Sequence, residues 1–223
     1  MNTNQLIQYQ LAIECIGLNH EGLLMRIPGP NPDDIARVYV YRNEAQYWVY
    51  FRHDVAPAIR SQIAALDQAD VYHNHDTIRT LLAQDSPCEE MFMGQTYLFP
   101  AIPTASDFAD VVPLTGEHHA LLNDPIPAPI VEGNPLFAII RDGKIVSACQ
   151  STGENDKAAE SYVYTDEAHR RQGLGRQVTM AWAAHVMSAG KVAFYSHALS
   201  NVASAKVAQS LGLRPCFSCV NYA

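Results

Sequence analysis

The chain has 223 residues, 48% of them apolar and 17% charged, and a formal net charge of −8. Such a composition builds a folded globular protein, one large domain or two small ones, and excludes a disordered chain. The acidic balance argues against a general nucleic-acid or anionic-membrane partner, because Lys and Arg meeting phosphate carry such binding, although a local basic spot stays open.

No stretch reaches the ~20 apolar residues of a membrane span, and the opening MNTNQLIQYQ lacks the basic-then-apolar order of a signal peptide, so a cytoplasmic location is expected. Cys15, Cys88, Cys149, Cys216 and Cys219 form an odd, scattered set and are expected as free thiols. Cys216 and Cys219 have redox or zinc spacing but no second pair, and His73, His75, His118 and His119 have no matching acidic or thiol cluster, so no metal is assigned.

In chain order, Asn4 to Ile16 is a candidate helix and MRIPGPNPDD a loop. ARVYVYRNEAQYWVYFRHD predicts a hairpin turning at Arg42-Asn43-Glu44-Ala45. Two helices follow: one over Ala58 to Leu66 with Ile59, Ile63 and Leu66 on one face, and one over Thr77 to Gln84 with Asp76 as its cap. PAIPTASD, residues 100–107, is the candidate linker and divides an N-terminal α+β region, 1–104, from a second domain, 105–223. Beyond it come a strand near Ala109 to Leu114, a helix capped by Thr115, and a Pro-rich crossing. A second hairpin then turns at Arg141-Asp142-Gly143, and a strand runs from Glu160 to Thr165.

The stretch HRRQGLGRQVTMAWAAHVMSAG comes next, with small or apolar positions at helical spacing from Leu174 to Ala189 and Gly190 as the stop before the strand VAFYSH. A strand, a glycine turn and a helix N-terminus together form an anion site, since the first helical N–H groups have no internal acceptor. Gly173 and Gly175 would let a diphosphate approach those amides, with Arg170 or Arg171 adding charge. A P-loop would need Gly-Lys-Ser/Thr where Gly175 is followed by Arg176-Gln177, and a dinucleotide fold would need an acidic residue that Gly190 to Asn201 does not contain.

Arg170-x-x-Gly173-x-Gly175 resembles the coenzyme A pyrophosphate loop of the GNAT (Gcn5-related) N-acetyltransferase superfamily, and Asn201-x-x-Ser204 leading to Leu211-Gly212-Leu213 resembles that family's following motif. Tyr195-Ser-His197 is similar to glycine N-acyltransferase-like members, and the resemblance covers roughly residues 105 to 223. It implies an α/β fold: a mixed, mostly antiparallel twisted sheet flanked by helices, here with an extra α+β half over 1–104 that is a candidate degenerate second lobe. It also implies acyl transfer from acetyl-coenzyme A to a primary amine of a small molecule. The implied donor-binding residues are Val163 and Thr165 along the strand, Arg170, Arg171, Gln172, Gly173, Leu174 and Gly175 in the loop, and Asn201 and Ser204 on the far side.

The chain departs from the family at the catalytic groups. The family's usual base positions hold Ala159 and Ser161, which leaves Glu160, facing the substrate only through a β-bulge, and His197 as candidates. The family's thiolate-protonating tyrosine would fall at Ala208, leaving Ser204 or water. Tyr39, Trp48 and Tyr50 are candidates for shaping the acceptor pocket. A catalytically silent acyl-coenzyme A binding or sensor domain is the alternative, and the oligomeric state is not legible.

Overall fold

A computed structural model of the protein describes residues 1–29, 35–44, 46–114 and 134–223. By contacts the chain forms two compact units: the first holds Met1–Thr96, His197–Ser200 and Pro215–Ala223, the second Tyr97–Ser196 and Asn201–Arg214. This division differs from the linker boundary at 104/105. Tyr97 and Phe99, which precede the linker, pack in the apolar clusters of the second unit, whereas residues 218–222 pair with 38–42 in the first.

In the first unit, α1 (Thr3–Ile13) starts at Asn2, whose side chain accepts the Gln5 N–H, and Cys15 at φ 61 follows its end. The helix therefore stops short of Ile16, which opens β1 (Ile16–Leu18), paired with β2 (Leu24–Arg26). The expected hairpin is β3 (Val38–Asn43) and β4 (Gln46–Phe51), with Asn43 opposite Gln46; Ala45 of its turn lies outside the described residues. The helices α2 (Pro57–Ala64), α3 (Gln68–His73) and α4 (His75–Leu82) bury Ile59, Ile63, Val71, Ile78 and Leu82 in one cluster with Val38, Val40, Val220 and Tyr222.

The expected Asp76 cap is corrected: Asn74 holds the non-helical backbone and its side chain accepts the Thr77 N–H, so Asp76 sits inside the first turn. His75 Nδ1 lies 2.9 Å from the Tyr222 hydroxyl, and His73 meets the Tyr72 ring edge. Tyr39 is 5% exposed with its hydroxyl accepting the Ala36 N–H, and Tyr50 donates to Asn4 of α1, so both serve this unit's own packing. The strands β5 (Met91–Leu98) and β11 (Arg214–Tyr222) complete its sheet in the order β4-β3-β11-β5.

The second unit has the order β10-β9-β8-β7-β6, with β6 (Val112–Leu114), β7 (Leu136–Arg141), β8 (Lys144–Glu154), β9 (Ala158–Thr165) and β10 (Val192–Ala198). Thr115, His118, His119 and most of the Pro-rich crossing lie outside the described residues. The β7–β8 turn has positive φ at both central residues, Asp142 at 50° and Gly143 at 72°, the backbone of the tight hairpin that Asp-Gly favours. The 3₁₀ turn Ala105–Asp107 in the expected linker is closed by a reciprocal box between Thr104 and Asp107.

One face of this sheet carries α5 (Leu174–Ser188), which buries Leu174, Val178, Ala181, Trp182 and Val186 against Phe137, Ile139, Cys149 and Ala159. The Trp182 indole N–H donates to Ser151 Oγ at 2.9 Å, so this large ring is buried without orphaning its donor. Both α5 and α6 (Val202–Ser210) end in the same paired bonds: Gly190 N–H to Met187 O with Lys191 N–H to Val186 O, and Gly212 N–H to Gln209 O with Leu213 N–H to Ala208 O. The Leu211-Gly212-Leu213 segment is thus a helix terminator whose last leucine folds back onto Ala208 and Tyr195. All five cysteines are free and buried, and among the described residues no helix is long and apolar enough to cross a membrane.

Candidate active site

The strands β9 and β10 run parallel and pair only from Ala158↔Val192 to Glu160↔Phe194. Beyond Glu160 and Phe194 they part, and a cleft of about 840 Å³ opens, lined by β9 from Tyr162 to Thr165, by Tyr195, by the loop and first turn of α5, and by one face of α6. That volume suits a medium-sized ligand.

At the mouth, Asp166 caps the 3₁₀ turn Glu167–His169, accepting the Ala168 N–H; the His169 ring beside it, ahead of that N–H, holds the carboxyl below its usual range. The chain then turns through two left-handed residues, Arg171 at φ 63 and Gly173 at φ 77. Left-handed backbone at a non-glycine residue such as Arg171 is strained. Gln177 N–H bonds Gly173 O, so the amides of 174–176 at the start of α5 have no acceptor within the helix.

The two glycines do different work. A Cβ on Gly173 would meet nothing within 4 Å, so this glycine serves its positive φ. A Cβ on Gly175 would lie 3.2 Å from Thr165 Oγ1 and 3.6 Å from Val163 Cγ1, so that glycine lets the helix start rest on β9.

Of the expected donor-binding residues, Val163, Thr165, Arg170, Arg171, Gly173, Gly175, Asn201 and Ser204 all line the cleft. Gln172 turns away, its Oε1 accepting from Arg141 Nη1 at 2.8 Å, and Leu174 is 3% exposed under α5, so these two can offer the cleft only backbone. Asn201 Oδ1 caps α6 by accepting the Ser204 N–H at 3.0 Å, which leaves its amide NH₂ for a ligand. Sequence reasoning missed Arg176 and Lys206, which add two cations to Arg170 and Arg171 around the cleft. Their signal was present: Arg176 directly follows the glycine turn, and Lys206 lies five residues after the cap.

The catalytic candidates are spread more widely. Ser204 lines the cleft, whereas Glu160 and His197 do not. The bulge in the β8–β9 ladder lies at Thr152 of β8, since Ser151 pairs Ser161 while Gly153 pairs Glu160. Alternation along β9 is therefore unbroken: Ala159, 0% exposed, and Val163 face α5, and Glu160 faces the opposite side with Tyr162 and Tyr164. His197 is 8% exposed with Nδ1 2.9 Å from Ala198 O.

Ala208 is 1% exposed and packs with Tyr195, Leu213, Val207 and Leu211. Ala208→Tyr is expected to overpack this cluster at about 1–3 kcal/mol, lowering the melting temperature by about 2–12 °C. A melting temperature held or raised by Ala208→Tyr would show room for a phenol there.

The strands β9 and β10 part beside a cationic turn with free helix-start amides, an arrangement that suits an anionic ligand. Residues 137–218 match the family model described as GNAT acetyltransferase. That stretch, under half of the chain, therefore matches a GNAT acetyltransferase domain.

Three solved structures share the fold. An acetyltransferase of the GNAT family from Colwellia psychrerythraea is 15% identical with a TM-score of 0.52, the match covering 98% of this chain and 94% of that one. A GCN5-related N-acetyltransferase-like protein from Streptococcus suis is 11% identical with a TM-score of 0.52, covering 83% of each. A GNAT-family protein from Novosphingobium aromaticivorans is 19% identical with a TM-score of 0.50; the match covers 60% of this chain and 65% of that one, just under two thirds of its length. No curated protein matches the chain.

Proposed function

We propose that this protein transfers the acetyl group of acetyl-coenzyme A to the primary amine of a small molecule. The observation that carries the proposal is the parted β9–β10 pair, with Arg170, Arg171, Arg176, Lys206 and the 174–176 amides around the opening. These groups fit a diphosphate-bearing donor: the cations and amides take the phosphates, and the edge of β9 from Thr165 to Val163 takes the arm through its backbone. When bound, such a donor supplies an acyl group activated as a thioester.

Glu160 is the last β9 residue paired with β10 and faces away from α5, so an amine approaching from that side meets a carboxylate at the opening of the strands. Its role is to take the amine's proton, with His197 the second candidate and Ser204 a hydroxyl donor on the cleft side. In this proposal residues 105–223 hold the donor and residues 1–104 serve the acceptor, acting in the cytoplasm. A fragment meant to test that split starts better at Tyr97, because one starting at Thr104 strips Tyr97 and Phe99 from the second unit's apolar clusters.

Titration calorimetry with acetyl-coenzyme A, followed by an amine screen read by release of free thiol, tests the proposal. Binding in the ~1 µM to 1 mM range usual for substrates is expected, with thiol released by at least one small primary amine. Absence of binding refutes the donor assignment. Binding without thiol release from any amine points instead to an acyl-coenzyme A sensor.

A further inference from the structure

The core between α5 and the sheet of the second unit is not wholly apolar. Along β8, Ser147, Cys149 and Ser151 alternate and pair with Thr165, Val163 and Ser161 of β9, so they share the face that Cys149 and Val163 turn to α5. All three are buried, and a buried polar group costs free energy unless it finds a partner. Each finds one along a single line of the helix. Ser151 Oγ accepts the Trp182 indole N–H, and the Cys149 thiol and the Thr179 hydroxyl hydrogen-bond one another. Ser147 Oγ lies 2.9 Å from Thr165 Oγ1, the atom that a Cβ on Gly175 would meet at 3.2 Å. Residues 175, 179 and 182 recur at helical spacing, so this polar stripe fixes both the rotation and the slide of α5 on the sheet.

Thr179 carries that registration to the start of the helix. It is 0% exposed and its hydroxyl donates to Gly175 O at 2.6 Å, the short end of the range for such a bond. Helix stability does not account for it, because threonine is a poor helix former and a hydroxyl bonded back to the i−4 carbonyl slightly weakens a helix. The peptide unit, however, is planar and trans, so Gly175 C=O and the Arg176 N–H point in opposite directions from one rigid plane. Holding the carbonyl toward Thr179 aims the Arg176 N–H out of the helix start, where it has no acceptor within the helix. The same bond polarises the unit and makes that N–H a stronger donor to an anion.

We infer that Thr179, which does not itself line the cleft, is a positioning residue for the phosphate end of the cleft, acting through the Gly175–Arg176 peptide. The inference rests on the coenzyme A reading of the cleft. Thr165 serves the same end from below. Ser147 has one proton and donates it to Tyr164 O at 2.9 Å, so Thr165 must donate to Ser147 and keeps its own proton in the core, beneath Gly175.

The test is Thr179→Val, which keeps the shape and removes the hydroxyl, with Thr179→Ser as the conservative partner. Calorimetry measures coenzyme A directly and inorganic pyrophosphate by competition against it. In Thr179→Val both ligands are expected to weaken by the same factor, about 3- to 10-fold, the effect of one lost hydrogen bond. In Thr179→Ser both return to wild-type affinity. A packing defect acting on the arm of the ligand would instead weaken coenzyme A, leave pyrophosphate unchanged and escape rescue by serine.

Wild-type affinity for both ligands in a folded Thr179→Val protein overturns the inference while leaving the donor assignment standing. So does a loss of coenzyme A affinity with pyrophosphate unchanged, or a wild type that binds coenzyme A but does not release it to millimolar pyrophosphate. If the wild type fails to bind coenzyme A at all, it is the donor assignment that falls, and the inference with it. Should Thr179→Val not fold, Thr179→Ala also lacks the hydroxyl and is a better helix former, so it carries the same expectation, and unchanged affinities there are equally decisive against the inference.

Discussion

Raising the pH above about 9 is expected to unfold the protein cooperatively rather than titrate its tyrosines one by one. Tyr39, Tyr41, Tyr195 and Tyr222 are 5%, 2%, 3% and 0% exposed, and for each the chief cause of a raised phenol is burial that disfavours the phenolate. A raised folded value means the stabilising contribution is fully present below the unfolded value near 10 and is lost as pH rises toward the folded value. In that window the unfolded chain has released protons that the native chain still holds. Each such group removes about 1.4 kcal/mol per pH unit, so the four together remove about 5.5 kcal/mol per unit.

The thiols of Cys149 and Cys216 are raised for the same reason and begin the decline near pH 9. A domain stable by about 5–15 kcal/mol therefore crosses its midpoint between pH ~10 and ~12. The measurement is tyrosinate absorbance and circular dichroism recorded together from pH 8 to 12. A single step in both signals is expected, whereas a smooth tyrosinate rise near pH 10 with unchanged dichroism would show these phenols reaching solvent in the native state.

Wherever local backbone chemistry decides, the fold was legible. Asp142-Gly143 dictates a tight hairpin, Gly190 ends α5, and the spacing of Leu174, Val178 and Trp182 places one face of α5 on the sheet. The turn from Arg170 to Gly175 was legible for the same reason. Tertiary competition hid the rest. Asn74 and Asp76 are both good caps two residues apart, and only the path of the chain selects Asn74. Gln172 looks like a cleft residue until the β7–β8 hairpin brings Arg141 within 2.8 Å of it. That Tyr195 lines the cleft depends on where β9 and β10 stop pairing, a feature no local pattern encodes. The place of Ala208 in its cluster has the same origin, since the ring of Tyr195 packs against it there.

Gly173→Val is expected to weaken acetyl-coenzyme A binding by 100-fold or more, about 2.7 kcal/mol, in a protein that remains folded. Since a Cβ at 173 meets nothing within 4 Å, the substitution acts through φ 77, which a β-branched residue adopts only at about 1–3 kcal/mol. The loop relieves that strain by rotating out of the left-handed region, which moves the free amides of 174–176 from their present placement. Stability falls by a few degrees of melting temperature at most, because the helix core from Val178 onward is untouched.

Two companions separate conformation from packing and from charge. Gly175→Ala presses on Thr165 Oγ1, which is held 2.9 Å from Ser147 Oγ, so it should lower stability more than affinity. Arg171→Gly removes a cation but relieves the strain at φ 63, so it should raise the melting temperature while lowering affinity and flattening its salt dependence. Calorimetry at two salt concentrations with a thermal melt of each variant distinguishes the three outcomes. A folded Gly173→Val protein with wild-type affinity would show that the phosphates are not held by this turn.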